Sequence, residues 1–187
     1  MATKKTKRLS GVLLHITSLP SPYGIGTVGR CARDFVDFLK SAGQSYWQIL
    51  PLCPTSYGDS PYQSFSTFAG NSYLIDLEEL IEEGLLTKAE CDELEWGEDP
   101  RSVDFGLMYE NRNKVLRKVC ERLLEAPPKE FESFCEKEAQ WLDDFALFMA
   151  IKYDNGGVAW TEWPEPLRLR EEKAMASARE RLVADLL

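Results

Sequence analysis

The chain has a single histidine, His15, among 187 residues. Its five cysteines, Cys31, Cys53, Cys91, Cys120 and Cys135, are widely spaced and contain no C-x-x-C pair. That pattern supplies neither a Cys/His zinc site nor a disulfide framework. Scattered reduced thiols fit a cytoplasmic chain, and no metal site is expected. Long apolar runs are also lacking. A bilayer span needs about 20 apolar residues, and stretches such as GVLL and QILPL are far shorter. The basic start, MATKKTKRLS, has no apolar segment behind it to make a secretory signal. Residues 1–9 are expected to form a short disordered basic arm. After Arg8 there is no cluster of Lys or Arg, and the net charge is −9. A nucleic-acid partner would need a positive footprint to displace counterions, so none is expected. No internal repeat or low-complexity segment is visible, and nothing fixes an oligomeric state.

What is present is ordinary globular composition, with 44% hydrophobic and 28% charged residues. Residues 11–19, GVLLHITSL, read as a short buried strand ending before Pro20. Val28, Cys31, Ala32, Phe35, Leu39 and Ala42 recur at helical spacing and predict a helix over 28–42, with Thr27 as N-cap and Gly43 after its end. Residues 45–52, SYWQILPL, read as a second buried strand. Strand, helix and strand in that order imply parallel pairing and an α/β fold.

From Cys53 to Tyr73 charge almost vanishes while Ser, Tyr, Phe, Gly and Pro accumulate. Such a loop after a strand is a place where α/β proteins build binding sites. Beyond Leu74 the chain reads as mostly helical. A short helix breaks near Gly84, Thr87 and Glu90 form a capping box, and Asp104 caps a following helix. Another helix starts after Pro127–Pro128, residues 155–166 read as a loop, and Ala174, Ala178, Leu182 and Leu186 mark a last helix.

Three constellations could carry chemistry. Gly24, Gly26 and Gly29 make G-x-G-x-x-G between strand and helix, the setting of a dinucleotide loop. However, Pro20 to Tyr23 separate the strand from the first glycine, and no acid ends the second strand to hold a ribose. A structural turn is the favoured reading. In the loop YGDSPYQ, Tyr57 and Tyr62 can lie flat on sugar rings, while Asp59, Ser60 and Gln63 can bond hydroxyls. A self-packed loop, its Ser and Asp serving local backbone, explains the composition equally well. Adjacent acids at 78–79, 82–83, 143–144 and 171–172 point in different directions on helices and read as solvated faces. Asp76 reads as a cap or turn residue. His15 reads as a hydrogen-bonded core histidine rather than a catalytic base.

The blocks LLHITSLPSPYGIG, SYWQILPL and YGDSPYQSFSTFAGNSYLIDL, followed in order by VDFGLMYENRNKVL, WLDDFALFMAIK and WPEPLRLREEKA, resemble the N-terminal part of the amylomaltase (4-α-glucanotransferase) family. The match begins near Arg8 and covers nearly the whole chain. Ser72 departs from a frequent family Pro, and Thr27 from a frequent acid. The resemblance implies an α/β chain forming the N-terminal portion of a (β/α)8 TIM barrel with a mostly helical inserted subdomain. Residues 10–75 would hold the first β-α-β segment and the substrate loop, 76–166 the helical insertion, and 167–187 a helix leading back to the barrel. A complete barrel takes about 250 residues, more than this chain has.

The implied reaction transfers segments of α-1,4-glucan between maltooligosaccharides by retaining double displacement, with no cofactor. Position by position, Tyr62 is expected near the sugar at the cleavage point and Ser60 on the donor side. Tyr57 and Tyr109 match aromatics of a secondary glucan site. The family's catalytic Asp, Glu and second Asp lie in later strands, so no catalytic residue is expected within these 187 residues. A chain with two barrel strands is expected to be marginally stable and inactive by itself. A non-catalytic glucan-binding module is the alternative, and a nucleotide-binding α/β domain a weaker one.

Overall fold

The computed structural model describes residues 8–56 and 58–182. Most of the basic arm and Leu186 therefore lie outside the described residues. The chain forms two compact units, 1–121 and 122–187. Unit 1 opens with strand β1, Gly11–Leu13, and helix α1, Arg30–Ser41, followed by strand β2, Tyr46–Gln48. The strands pair in parallel, Gly11 beside Tyr46 and Leu13 beside Gln48. The expected strand–helix–strand order and parallel pairing are therefore present, around a two-stranded sheet in a mostly helical chain.

Both strands are shorter than the apolar runs that predict them. After β1 the chain turns through a 3-10 helix, Ile16–Ser18, which buries Ile16 and takes His15 out of the strand. The reason is packing. Ile16 and Leu19 join Ala32 of α1 and Leu74 in one buried cluster, flanked by Leu14, Phe35, Trp47, Ile49 and Leu52. Phe35 meets Trp47 edge-on at 5.0 Å between ring centres. The Trp47 indole Nε1 donates to the Leu14 carbonyl at 2.7 Å, extending strand pairing with a side chain.

Helix α1 begins two residues later than its periodicity predicts. Gly29 is the N-cap and gives no side-chain bond. Thr27, expected to cap α1, instead donates its hydroxyl to Asp76 Oδ2 at 2.6 Å, 49 residues away. Asp76 accepts from Glu78 N and Glu79 N as the N-cap of helix α2, Leu77–Glu82. Its carboxylate also fills the space a Cβ on Gly29 would occupy. Gly43, at φ +69°, ends α1 as expected. Thr87 and Glu90 complete the capping box of helix α3, Lys88–Asp92.

Asp104 caps helix α4, Phe105–Leu107, through Leu107 N. The helix then widens into a π-helical turn, Met108–Arg112, before helix α5, Asn113–Glu125. Periodicity gives no hint of that turn. Unit 2 contains helix α6, Lys129–Asp154, the short helix α7, Glu165–Arg168, and helix α8, Glu172–Arg181. The 155–166 stretch, expected as a loop, holds a 3-10 turn at Trp160–Glu162 and the start of α7. Leu147, Ala150, Ile151, Trp163, Ala178 and Leu182 make the core of unit 2. Arg181 grips Asp154 with two bonds of 2.6 and 2.8 Å, tying α8 to α6.

Replacing Asp76 with Ala removes a helix cap and a charge-assisted bond together. The expected loss is about 2–4 kcal/mol. Thr27→Val, which leaves the cap in place, should cost about 1–2 kcal/mol. Urea unfolding followed by tryptophan fluorescence checks both values.

Candidate functional site

The loop 53–71 follows β2 and its connecting residues 49–52, and its last residue, Asn71, donates its N–H to the Leu52 carbonyl at 2.8 Å. Its two ends are thus joined. The Asn71 side chain then caps a 3-10 turn, Ser72–Leu74, through Tyr73 N. Leu74 O accepts from Val28 N at 2.9 Å, which fastens the return to the start of α1.

Within the loop the hydroxyls serve the backbone. Ser66 Oγ accepts from Phe68 N and Ala69 N, and Ser64 Oγ donates to Ser66 O at 2.7 Å. Ser60 Oγ accepts weakly from Tyr62 N at 3.4 Å, and Ser60 O accepts from Gln63 N at 3.0 Å. Ser56 N donates to Gln63 O, closing a small turn over 56–63. Ser60, the serine of the 57–63 loop, thus bonds local backbone, and Ser64 and Ser66 do the same. The aromatics behave differently. Tyr62 is 73% exposed and Phe68 67% exposed, on a segment whose backbone is fixed by these bonds. Tyr57 lies outside the described residues.

Beneath the loop, where β1 and β2 end, is a cavity of about 220 Å³. His15, Asp59, Thr55, Asn71, Tyr73 and Phe105 are among its lining. His15 is half-buried, and its Nδ1 accepts from Leu50 N at 3.2 Å. Burial lowers its pKa, favouring the neutral imidazole. Asp59 adopts φ +55°, rare for a residue with a Cβ. Burial raises its carboxyl above the usual range, and a hydrogen bond from Thr55 partly offsets this. Asp59, half-buried at positive φ, and His15 both line this cavity, and burial-shifted titratable groups at a cavity mark a candidate functional site.

The structure thus groups Asp59 and His15 at one cavity, a pairing that spacing in sequence could not reveal. Tyr62 and Ser60 belong to the turn above it but are not among its lining residues. Tyr109, on the π-helical turn, is 55% exposed and lines neither this cavity nor the next. A larger cleft of about 830 Å³ shares Thr17, Ser18, Ile25 and Phe105 with the cavity and extends to Trp96 and Arg101.

The glycine triplet makes no phosphate cradle. A Cβ at Gly24 would strike the Trp96 carbonyl and the Met108 side chain; one at Gly26 would strike Ile16 O. At Gly29 the nearest group is the Asp76 carboxylate, an anion already at the N-terminus of α1. These glycines allow close packing of protein on protein. Of the adjacent acids, Glu82, Glu83, Asp143, Asp144, Glu171 and Glu172 are exposed as expected, whereas in the pair 78–79 only Glu78 is: Glu79 is half-buried and pairs with Arg33. Among the described residues, no three His, Cys, Asp or Glu side chains gather to hold a metal ion. No described helix is long and apolar enough to cross a membrane.

The raised Asp59 carboxyl has a definite sign. The folded state holds this proton more tightly than the unfolded chain, so ionisation subtracts stability as pH rises through the carboxylate range. Asp59→Asn, which also tolerates positive φ, should therefore match or exceed the parent in stability at pH 7. The advantage should fade below the carboxylate range, as thermal melts between pH 3 and pH 7 would reveal.

A profile of the 4-alpha-glucanotransferase family matches residues 14–186. The 4-alpha-glucanotransferase of Thermus thermophilus is 52% identical over 187 residues, covering 96% of this chain and 36% of that protein. The enzyme of the same name from Streptococcus pneumoniae is 50% identical over 183 residues, covering 97% of this chain and again 36% of its own length. The amylomaltase of Streptococcus agalactiae, solved in complex with acarbose, superposes with a TM-score of 0.91 at 46% identity. That match covers 96% of this chain and 37% of the amylomaltase chain. The chain thus spans little more than a third of the relatives it matches. With nearly all of its residues inside the family match and a fold shared at high identity, the chain belongs to the 4-alpha-glucanotransferase family.

Proposed function

We propose that this chain supplies part of the glucan-binding surface of a 4-α-glucanotransferase. The substrates are maltooligosaccharides and longer α-1,4-glucans. The observation that carries the proposal is the turn 56–63, closed by its own backbone bonds and offering Tyr62 to solvent above the Asp59–His15 cavity. An exposed aromatic on a fixed turn gives a flat apolar face for a sugar ring at little entropic cost. The likeness to an amylomaltase holding acarbose, a maltooligosaccharide analogue, supports the same reading.

In this proposal Tyr62 packs against the sugar at the cleavage point and Ser60 faces the donor side. Tyr57 and Tyr109 form a secondary glucan platform. Strands β1 and β2 are the first two of a (β/α)8 barrel, with 76–166 as a helical insertion and 167–187 leading back to the barrel. The cleft would be completed by the portion of the relatives' length that this chain does not span. The reaction would cleave an α-1,4 bond, hold the glycosyl unit on a carboxylate, and pass it to the 4-hydroxyl of an acceptor glucan. Retention requires two carboxyl groups about 5–5.5 Å apart. Asp59 is the one acid lining the cavity among the described residues. We therefore place the catalytic carboxylates outside these 187 residues.

Tyr62→Ala should weaken maltoheptaose binding about tenfold, near 1.4 kcal/mol, with the fold unchanged by circular dichroism. Equal affinity in the two proteins would remove Tyr62 from the sugar site. A chain of these 187 residues should release no glucose from maltotriose. Turnover by that chain would contradict the placement of the carboxylates, whereas binding without turnover fits both this reading and a pure glucan-binding module.

A further inference from the structure

Arg112 is fully buried in unit 1, yet among the described residues no carboxylate bonds it. Its Nε donates to Ser72 O at 3.4 Å, its Nη2 donates to Ile75 O, and Nη1 has no partner among the described residues. Burial lowers its pKa to about 10, with the nearby Asp76 charge opposing the shift. The guanidinium therefore stays charged at neutral pH inside protein. An apolar residue of similar volume would fill this space without the desolvation cost. The cost has a visible return in geometry. The planar fork spans two carbonyls at either end of the 3-10 turn 72–74, and that turn is the return of the loop 53–71.

From that turn three links lead to the candidate site. Asn71 N closes the loop onto Leu52 O, and Val28 N holds Leu74 O. Asn71, Tyr73 and Leu74 themselves form one wall of the cavity that His15 and Asp59 share. Arg112 comes from the π-helical turn 108–112, which buries Met108, Asn111 and Arg112 while leaving Tyr109 outside. Such turns widen a helix locally and recur at functional sites. Asn111 is also fixed, its Nδ2 donating to Glu95 O at 2.9 Å. The π turn is thus bonded on both sides, to the loop return and to the segment before α4.

We propose that Arg112 is a positioning residue for glucan binding, holding the Ser72–Ile75 return so that the cavity wall and the 56–63 turn keep their shape. It touches no substrate. It acts through the carbonyls of Ser72 and Ile75, and the π turn is the device that brings it inward from the same turn that presents Tyr109. This rests on the glucan-binding reading above.

The test compares Arg112→Lys, Arg112→Met and the parent by amide hydrogen exchange and by maltoheptaose titration. Lysine keeps the charge but not the fork, and methionine keeps only the volume. Both variants should lose about tenfold or more of protection at 71–76 and across 56–63, while α1 and the strands change little. Both should lose about tenfold in glucan affinity. If Arg112→Met does not fold, Arg112→Gln, neutral but still able to donate to one carbonyl, is read by the same two measurements. Retention of loop protection and affinity in either lysine or methionine variant overturns the proposal. So does a uniform loss of protection throughout unit 1, which marks a core residue with no selective hold on the loop. If the parent itself binds no maltoheptaose, the glucan reading fails, and with it the role in binding; selective loss of protection at 71–76 would still establish the clamp.

Discussion

The carboxylate of Asp76 and the backbone just before it form the point on which unit 1 depends. A loop of nearly twenty residues with almost no charge and, among the described residues, two exposed aromatics, Tyr62 and Phe68, has little reason to hold one shape. Here its return is held by bonds to four distant places: Leu52, Val28, Thr27 and Arg112. Asp76 contributes twice, since one oxygen caps α2 and the other receives the Thr27 hydroxyl. Gly29 lies against the same carboxylate, so the start of α1 and the end of the loop pack together at this point.

Local features were legible in the sequence to the extent that their causes are local. The capping box of Thr87 and Glu90, the cap at Asp104, the Gly43 stop and the parallel strand order all follow from neighbouring residues or from apolar periodicity. The misreadings share one cause. Thr27 has the chemistry of an N-cap, but a carboxylate 49 residues away competes for its hydroxyl. Residues 14–19 have the apolarity of a strand, but Ile16 and Leu19 bury better through a 3-10 turn onto α1 and Leu74. The π turn and the burial of Arg112 left no periodic trace, because a buried arginine looks like any surface arginine until its partner carbonyls are known.

The site divides along the same line. The loop composition singled out 53–73 as a candidate segment and left sugar contact and self-packing equally open. In the structure Ser60, Ser64 and Ser66 bond local backbone, while Tyr62 and Phe68 are exposed. The partnership of His15 with Asp59 at one cavity was invisible, since 43 intervening residues hide it and each alone has an ordinary structural explanation. Catalysis is a separate matter. The family supplies the expectation of acid pairs, and among the described residues Asp59 is the one acid lining the cavity.

The most direct test is to map acarbose onto the chain by amide chemical-shift changes. The account predicts the largest changes at 58–63 and at the cavity residues His15, Asn71 and Tyr73, with the unit 2 core around Trp163 unaffected. Changes confined to the cleft of Trp96 and Arg101, or none at saturating ligand, would contradict the claim that the 56–63 turn and its cavity bind the glucan.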